Sequence, residues 1–231
     1  MKWKRSSALQ PQIVISKNLI YHCFNLKASM TVKIAVLVSG RGSNLQAIID
    51  SIEKGYIKNA KIGVVISNKA DAYALERARK CGIKAIFLDP ARHGRAEYDR
   101  EIIKVLVEHN IDLLLLAGYF RILGSEIIKA YRYRILNIHP SLLPAFKGLH
   151  AQQQAFEYGV KLAGCTVHFV DEGLDSGPII LQKCVPVLPT DTEETLTARI
   201  LEQEHIIYPE AVRLFVEGKL KVEGRSVVII G

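Results

Sequence analysis

The chain has little of what marks several functional classes. Its four cysteines, Cys23, Cys81, Cys165 and Cys184, form no C-x-x-C pair and share no spacing with histidines. That argues against a metal site and against a disulfide framework. Four buried or partly buried free thiols in a reducing compartment are expected instead. Residues 1–30 contain no acid but five Lys or Arg, and removing them takes the net charge from +8 to +3. The remainder lacks the basic excess of a nucleic-acid binder. The basic segment also lacks the apolar run of a signal peptide, since residues 13–15 and 19–21 are split by Lys17 and Asn18. No membrane association is expected, and the location is read as cytoplasmic, with organellar targeting by this segment as the alternative. No internal repeat or low-complexity stretch occurs.

What is present is regular. The 231 residues are 49% hydrophobic, enough for a substantial core, and they read as one folded domain. Residues 34–38 are a continuous apolar run of the kind buried in parallel sheets, followed by a glycine turn and a helix with Leu45, Ile48, Ile49 and Ile52 on one face. Further strands are predicted at 62–66, 85–88, 113–116 and 135–138, with helices over 72–81 and 95–110. This alternation predicts an α/β fold, a single-domain, mostly parallel, doubly wound (Rossmann-like) sheet. Beyond Gly164 the pattern loosens into strands at 166–170 and 178–187, a helix over 192–216 and a hairpin over 220–230 broken at Gly224.

The turn Gly40-Arg41-Gly42-Ser43-Asn44 resembles half of a dinucleotide fingerprint, but Leu45 takes the third glycine's place. Ser67 and Asn68 stand where an acidic residue would close the second strand, so a dinucleotide site is not expected. The amides of Gly42, Ser43 and Asn44 still lie at a helix N-terminus, which suits a phosphate. The plain alternative is a ligand-free turn capped by Ser43 or Asn44.

The chemistry concentrates in L-N-I-H-P-S-L-L-P-A-F-K-G, residues 136–148, and V-D-E-G-L-D-S-G-P, residues 170–178. Asn137 and His139 alternate with apolar neighbours, so a strand would point both to one side. Pro140 and Pro144 stop that strand and predict a rigid, extended loop. Asp171 and Asp175, around Gly173, offer two candidate carboxylates on a loop. An amide, an imidazole and a carboxylate would serve acyl chemistry as oxyanion donor, proton shuttle and tuner. Taken alone, residues 120–123 read as the core-facing start of a helix, and Glu204 with His205 as a solvated helix face.

The order S-G-R-G-S-N-L-Q-A, A-G-Y-F-R-I-L, L-N-I-H-P-S-L-L-P and V-D-E-G-L-D-S-G-P-I-I, over residues 33–220, resembles the phosphoribosylglycinamide formyltransferases. These are a folate-dependent family of purine synthesis within the formyltransferase superfamily. The resemblance implies the formyltransferase fold, with residues 1–29 as a basic extension, disordered or a start-site artefact, and 30–231 as the catalytic domain. It implies transfer of a formyl group from 10-formyltetrahydrofolate, a cosubstrate, to the amine of phosphoribosylglycinamide, without a metal. On matching residues, Asn137, His139 and Asp175 would be catalytic. Gly42, Ser43 and Asn44 would hold the ribonucleotide phosphate, with Glu204 contacting the same substrate. Arg95, Phe120, Arg121, Ile122, Leu123, Asn137, Asp171, Glu172, Gly173, Leu174 and Asp175 would line the folate site. Small molecules are the implied partners, and a monomer or weak homodimer the implied assembly. Formyltetrahydrofolate deformylase is the alternative, although the added domain that precedes its catalytic one has no counterpart in a 30-residue basic segment. Methionyl-tRNA formyltransferase carries a further RNA-binding domain after its core, where this sequence stops near Gly231. A non-catalytic nucleotide-binding module would need the turn but not the three catalytic residues together.

A chain beginning at Met30 should fold and turn over like the full chain, because the extension offers little apolar surface for docking. Activity and solubility of the two forms, compared side by side, decide this; aggregation of the shorter form would make the extension structural.

Overall fold

The structure, a computed structural model, describes residues 31–231, so the expectations for residues 1–29 and for Cys23 lie outside it. In chain order the elements are β1 (Val32–Val38), α1 (Ser43–Glu53), β2 (Ala60–Ser67), α2 (Tyr73–Lys80), β3 (Lys84–Phe87), α3 (Arg95–Glu108), β4 (Leu113–Leu116), α4 (Ser125–Ala130), β5 (Ile135–His139), α5 (Ala151–Tyr158), β6 (Leu162–Phe169), β7 (Ile179–Pro186), α6 (Glu193–Val216), β8 (Leu220–Glu223) and β9 (Ser226–Ile229). One sheet carries all nine strands in the order β3-β2-β1-β4-β5-β6-β7-β9-β8. The first five run parallel, and the sheet turns antiparallel at β6.

The strand period sorts β1 between two cores. Ile34, Val36 and Val38 pack with the helices α1, α2 and α6, while Ala35 and Leu37 pack with α3 and α4. A strand covered on both faces has no polar side to show, which is why this stretch is apolar throughout. Chain order reverses between β1 and β4, and Leu37, Leu116 and Asn137 form one row across β1, β4 and β5. At about 4.8 Å per strand, the carboxyl ends of β1 and β5 stand roughly 10 Å apart. Three loops therefore leave the sheet side by side, at the switch point where open α/β sheets bind ligands.

Helix α6 holds this edge from below. It starts on a reciprocal Thr192–Thr195 cap and runs through Pro209, because burial of Ile207, Tyr208, Ala211 and Val212 outweighs the lost backbone donor. The Tyr208 hydroxyl lies 3.0 Å from both the Leu116 and the Leu136 carbonyl oxygens, tying α6 to the last residue of β4 and to β5 beside it.

Several sequence expectations need correction. Helices α4 and α5 were not foreseen: α4 has only 6 residues, and α5, though as long as α2, buries only Ala151 and Ala155, two small residues that mark no apolar face. Residues 120–123 form a loop before α4, not a helix start. The segment after His139 is folded back, not extended. The Thr166 hydroxyl donates to the Ser141 carbonyl (2.7 Å) and accepts from Leu143 N–H (3.1 Å), and the Ser141 hydroxyl donates to the Ala145 carbonyl (2.6 Å). Cys165 is buried, but Cys81 and Cys184 are exposed, because they follow the last turn of α2 and face outward from β7. No helix among the described residues is long and apolar enough to cross a membrane.

Replacing Tyr208 with Phe keeps the packing and strips two buried carbonyls of their shared donor. Urea unfolding should show a loss of about 1–3 kcal/mol; an unchanged midpoint would mean that the hydroxyl does not hold β4 and β5.

Candidate active site

Strand β5 delivers Asn137 and His139 to one side, and the loop after β6 brings Asp175 against them. His139, 4% exposed, has its Nδ1 3.4 Å from Asp175 Oδ2 and its Nε2 2.9 Å from the Phe146 carbonyl. A carbonyl only accepts, so Nε2 donates to it, and Nδ1 faces a carboxylate. That arrangement suits a ring protonated on both nitrogens. Asp175 is held in turn by Gly148 N–H, which donates to Oδ2 at 2.8 Å. Its backbone lies in the left-handed region, at φ 44°, which aims the side chain back toward β5.

A second histidine completes the cluster, and sequence reasoning missed it. His168 on β6 pairs with Asn137 across the antiparallel ladder and is 2% exposed. Its Nδ1 donates to the Phe169 carbonyl (2.8 Å), which leaves Nε2 bare to accept from Asn137 Nδ2 (3.2 Å). Burial pushes the His168 ring below its ordinary pKa and keeps it neutral, as that acceptor role requires. The bond fixes which way the Asn137 amide faces and leaves its second N–H for another acceptor. The available signal was the position of His168 just ahead of V-D-E-G-L-D.

The two candidate carboxylates separate clearly. Asp171 Oδ1 accepts from Gly173 N–H (3.1 Å) and the Ser176 hydroxyl (2.6 Å), so it closes its own loop, whereas Asp175 reaches the imidazole. Glu172, Gly173 and Leu174 form the outer part of that loop, with Leu174 half exposed.

Opposite, the loop after β4 carries Phe120 and Ile122 outward, both more than half exposed, while the Leu123 side chain is buried with α3 and α4 and offers only its backbone. Ser39 at the end of β1 anchors this loop by accepting from Phe120 N–H at 3.1 Å, and Arg95 reaches the Ile122 carbonyl at 3.5 Å. The Arg121 guanidinium lies over the Tyr98 ring, 4.9 Å from its centre. Buried Asp99 accepts from Gly124 N–H at 2.7 Å, and burial raises its carboxyl above the usual range.

At the end of β1, Gly42 caps α1 in the left-handed conformation, and neither Ser43 nor Asn44 caps it with a side chain. A Cβ on Gly42 would stand 2.6 Å from Ala74 Cβ, so both conformation and space demand glycine. The first backbone bond of the helix, Gln46 N–H to the Gly42 carbonyl at 3.0 Å, comes after the amides of Ser43 and Asn44. Asn44 turns instead to α6, donating from Nδ2 to Glu204 Oε2 at 2.7 Å, and its buried Oδ1 has no partner. Glu204 is therefore no solvated face: it is 6% exposed, and burial raises its carboxyl despite the opposing Asn44 bond. Among the described residues no cluster of three or more His, Cys, Asp or Glu could hold a metal.

A family model described as formyl transferase matches residues 32–212. The chain is 47% identical over 199 residues to phosphoribosylglycinamide formyltransferase of Escherichia coli (strain K12), covering 86% of this chain and 93% of that protein. It is 48% identical over 191 residues to the trifunctional purine biosynthetic protein adenosine-3 of Drosophila pseudoobscura pseudoobscura, covering 82% of this chain and 14% of that longer protein. Glycinamide ribonucleotide transformylase 1 from Symbiobacterium toebii, a crystal structure, superposes with a TM-score of 0.86 at 53% identity, over 91% of this chain and all of that one.

The raised Glu204 carboxyl gives a stability test. Its folded pKa exceeds its unfolded one, so the stability it contributes is complete below the ordinary value of 4.5 and is lost as pH rises through the folded value. Glu204→Gln keeps an acceptor for Asn44 without the charge. Its melting temperature should gain on the wild type as pH climbs from 4 to 8, while a constant difference would mean that Glu204 ionises freely.

Proposed function

We propose that this chain, which belongs to the formyl transferase family, transfers the formyl group of 10-formyltetrahydrofolate to the amine of phosphoribosylglycinamide. The observation that carries this reading is the convergence of Asn137, His139 and Asp175 two strands away, at the same edge of the sheet, from the phosphate-type turn at Gly42. A hydrolase needs the first cluster alone. A transferase to a phosphorylated amine needs both.

In this reading the ribonucleotide phosphate takes the amides of residues 42–44, and Glu204 with Asn44 receives the sugar or glycinamide part. Arg95, Phe120, Arg121, Ile122 and the backbone of Leu123 form one side of the folate site, and residues 171–175 the other. The substrate amine attacks the formyl carbon, a C–N bond forms and the carbonyl oxygen becomes an oxyanion. The free N–H of Asn137 and the His139 cation stabilise it. An anionic oxygen is a stronger acceptor than the Phe146 carbonyl, so Nε2–H turns to it as charge develops. The amine loses a proton, the folate nitrogen gains one through water, and the bond from that nitrogen to the formyl carbon breaks. Asp175 orients the imidazole through Nδ1 throughout, and neutral His168 keeps the Asn137 amide facing the carbonyl.

Purified protein given 10-formyltetrahydrofolate should consume it only when phosphoribosylglycinamide is added. Consumption without the ribonucleotide, with release of formate, would make it a deformylase. Asp175→Asn should fold normally and lose roughly 10² to 10⁴ in turnover, the size of a general acid–base contribution. Its ribonucleotide affinity should be nearly unchanged, because the turn lies at the end of another strand. Near-normal turnover would assign the carboxylate a loop-holding role only.

A further inference from the structure

The glycine turn is shaped by a helix that the proposed chemistry does not use. Two consecutive carbonyls of the turn point at α2: Ala74 N–H donates to the Gly40 oxygen at 3.1 Å, and Arg77 Nε–H donates to the Arg41 oxygen at 2.8 Å. In a planar trans peptide the N–H points opposite to the C=O. Holding those two carbonyls toward α2 therefore aims the N–H groups of Arg41 and Gly42 away from it, on the open side of the turn. The same guanidinium donates from Nη1 to Gln46 Oε1 at 3.2 Å, on the first turn of α1, and its carbon lies 4.9 Å from the centre of the Tyr73 ring. Turn and helix start are thus fixed to one planar fork. Ala74 fills the space beside Gly42 from the same helix, so the turn cannot relax in that direction.

We propose that Arg77 is a positioning residue for phosphate recognition: through the Arg41 carbonyl it orients the Gly42 N–H toward the phosphate of the ribonucleotide. The inference rests on the functional reading above. Arg77 needs no contact with the substrate for this role. An ammonium can supply the charge but not the two fixed donor directions of the fork.

The test compares the wild type with Arg77→Gln and Arg77→Lys on two amine substrates, phosphoribosylglycinamide and the same molecule without its phosphate. Loss of one charge-assisted hydrogen bond corresponds to about a tenfold effect. Both variants should lose about tenfold in kcat/KM on the phosphorylated substrate, through KM, with kcat and the folate KM within about twofold of wild type. On the dephosphorylated substrate they should match the wild type, so preference for phosphate drops about tenfold. Equal losses on both substrates would show a merely structural arginine and overturn the proposal. Full activity of Arg77→Lys would also overturn it, by showing that charge alone suffices. If wild-type turnover did not depend on the ribonucleotide, the functional reading itself would fail, a result separate from either variant's behaviour.

Discussion

Everything at the carboxyl edge depends on the contact between His139 and Asp175, two side chains that come from opposite ends of an antiparallel excursion. A buried imidazole beside a carboxylate is tolerable only if the remaining polar groups are satisfied, and here they are: the Phe146 carbonyl takes Nε2 and Gly148 N–H takes Asp175. Both partners lie on the loop after β5. That loop must therefore fold back over its own strand, which explains why Thr166 and Gln182 pin it from β6 and β7. After that loop and α5, β6 returns antiparallel beside β5, the strand the chain had left.

Neighbouring loops are set by the sheet. Because Leu37, Leu116 and Asn137 share a row, the turn after β1, the loop after β4 and the end of β5 open onto one cleft. Each is fixed by an element outside the cleft: α2 holds the first, Asp99 on α3 and Ser39 hold the second, and His168 on β6 holds Asn137. Rigid support from behind is what lets short loops present donors at defined positions without paying their ordering cost on binding.

Much of this was legible in the sequence wherever a period was long enough to read. The five parallel strands and the helices over 95–108 and 193–216 follow from apolar spacing, and Asn137 with His139 follows from strand alternation. Helices α4 and α5 were not legible, since α4 has only 6 residues and the buried side of α5 is two alanines. Long-range burial was not legible either. Glu204 looks like any charged helix residue until α1 is packed against it, and His168 looks like a core histidine until the β5–β6 register sets it opposite Asn137. The spacing left Asp171 and Asp175 both open, and only the resemblance favoured Asp175; in the structure Asp175, in the left-handed region, lies beside His139, while the Asp171 side chain is bonded within its own loop.

The central claim is that the turn at Gly42 and the loops at 120–123 and 171–175 are halves of one cleft that meet at His139. A covalently joined analogue, carrying a glycinamide ribonucleotide and a folate linked through a carbon in place of the formyl group, tests this by inhibition kinetics. One cleft requires competition against both substrates, with affinity well above that of either half alone and a further loss when the analogue's phosphate is removed. Competition against one substrate only, or an affinity no better than the stronger half, would place the two sites apart and contradict the account.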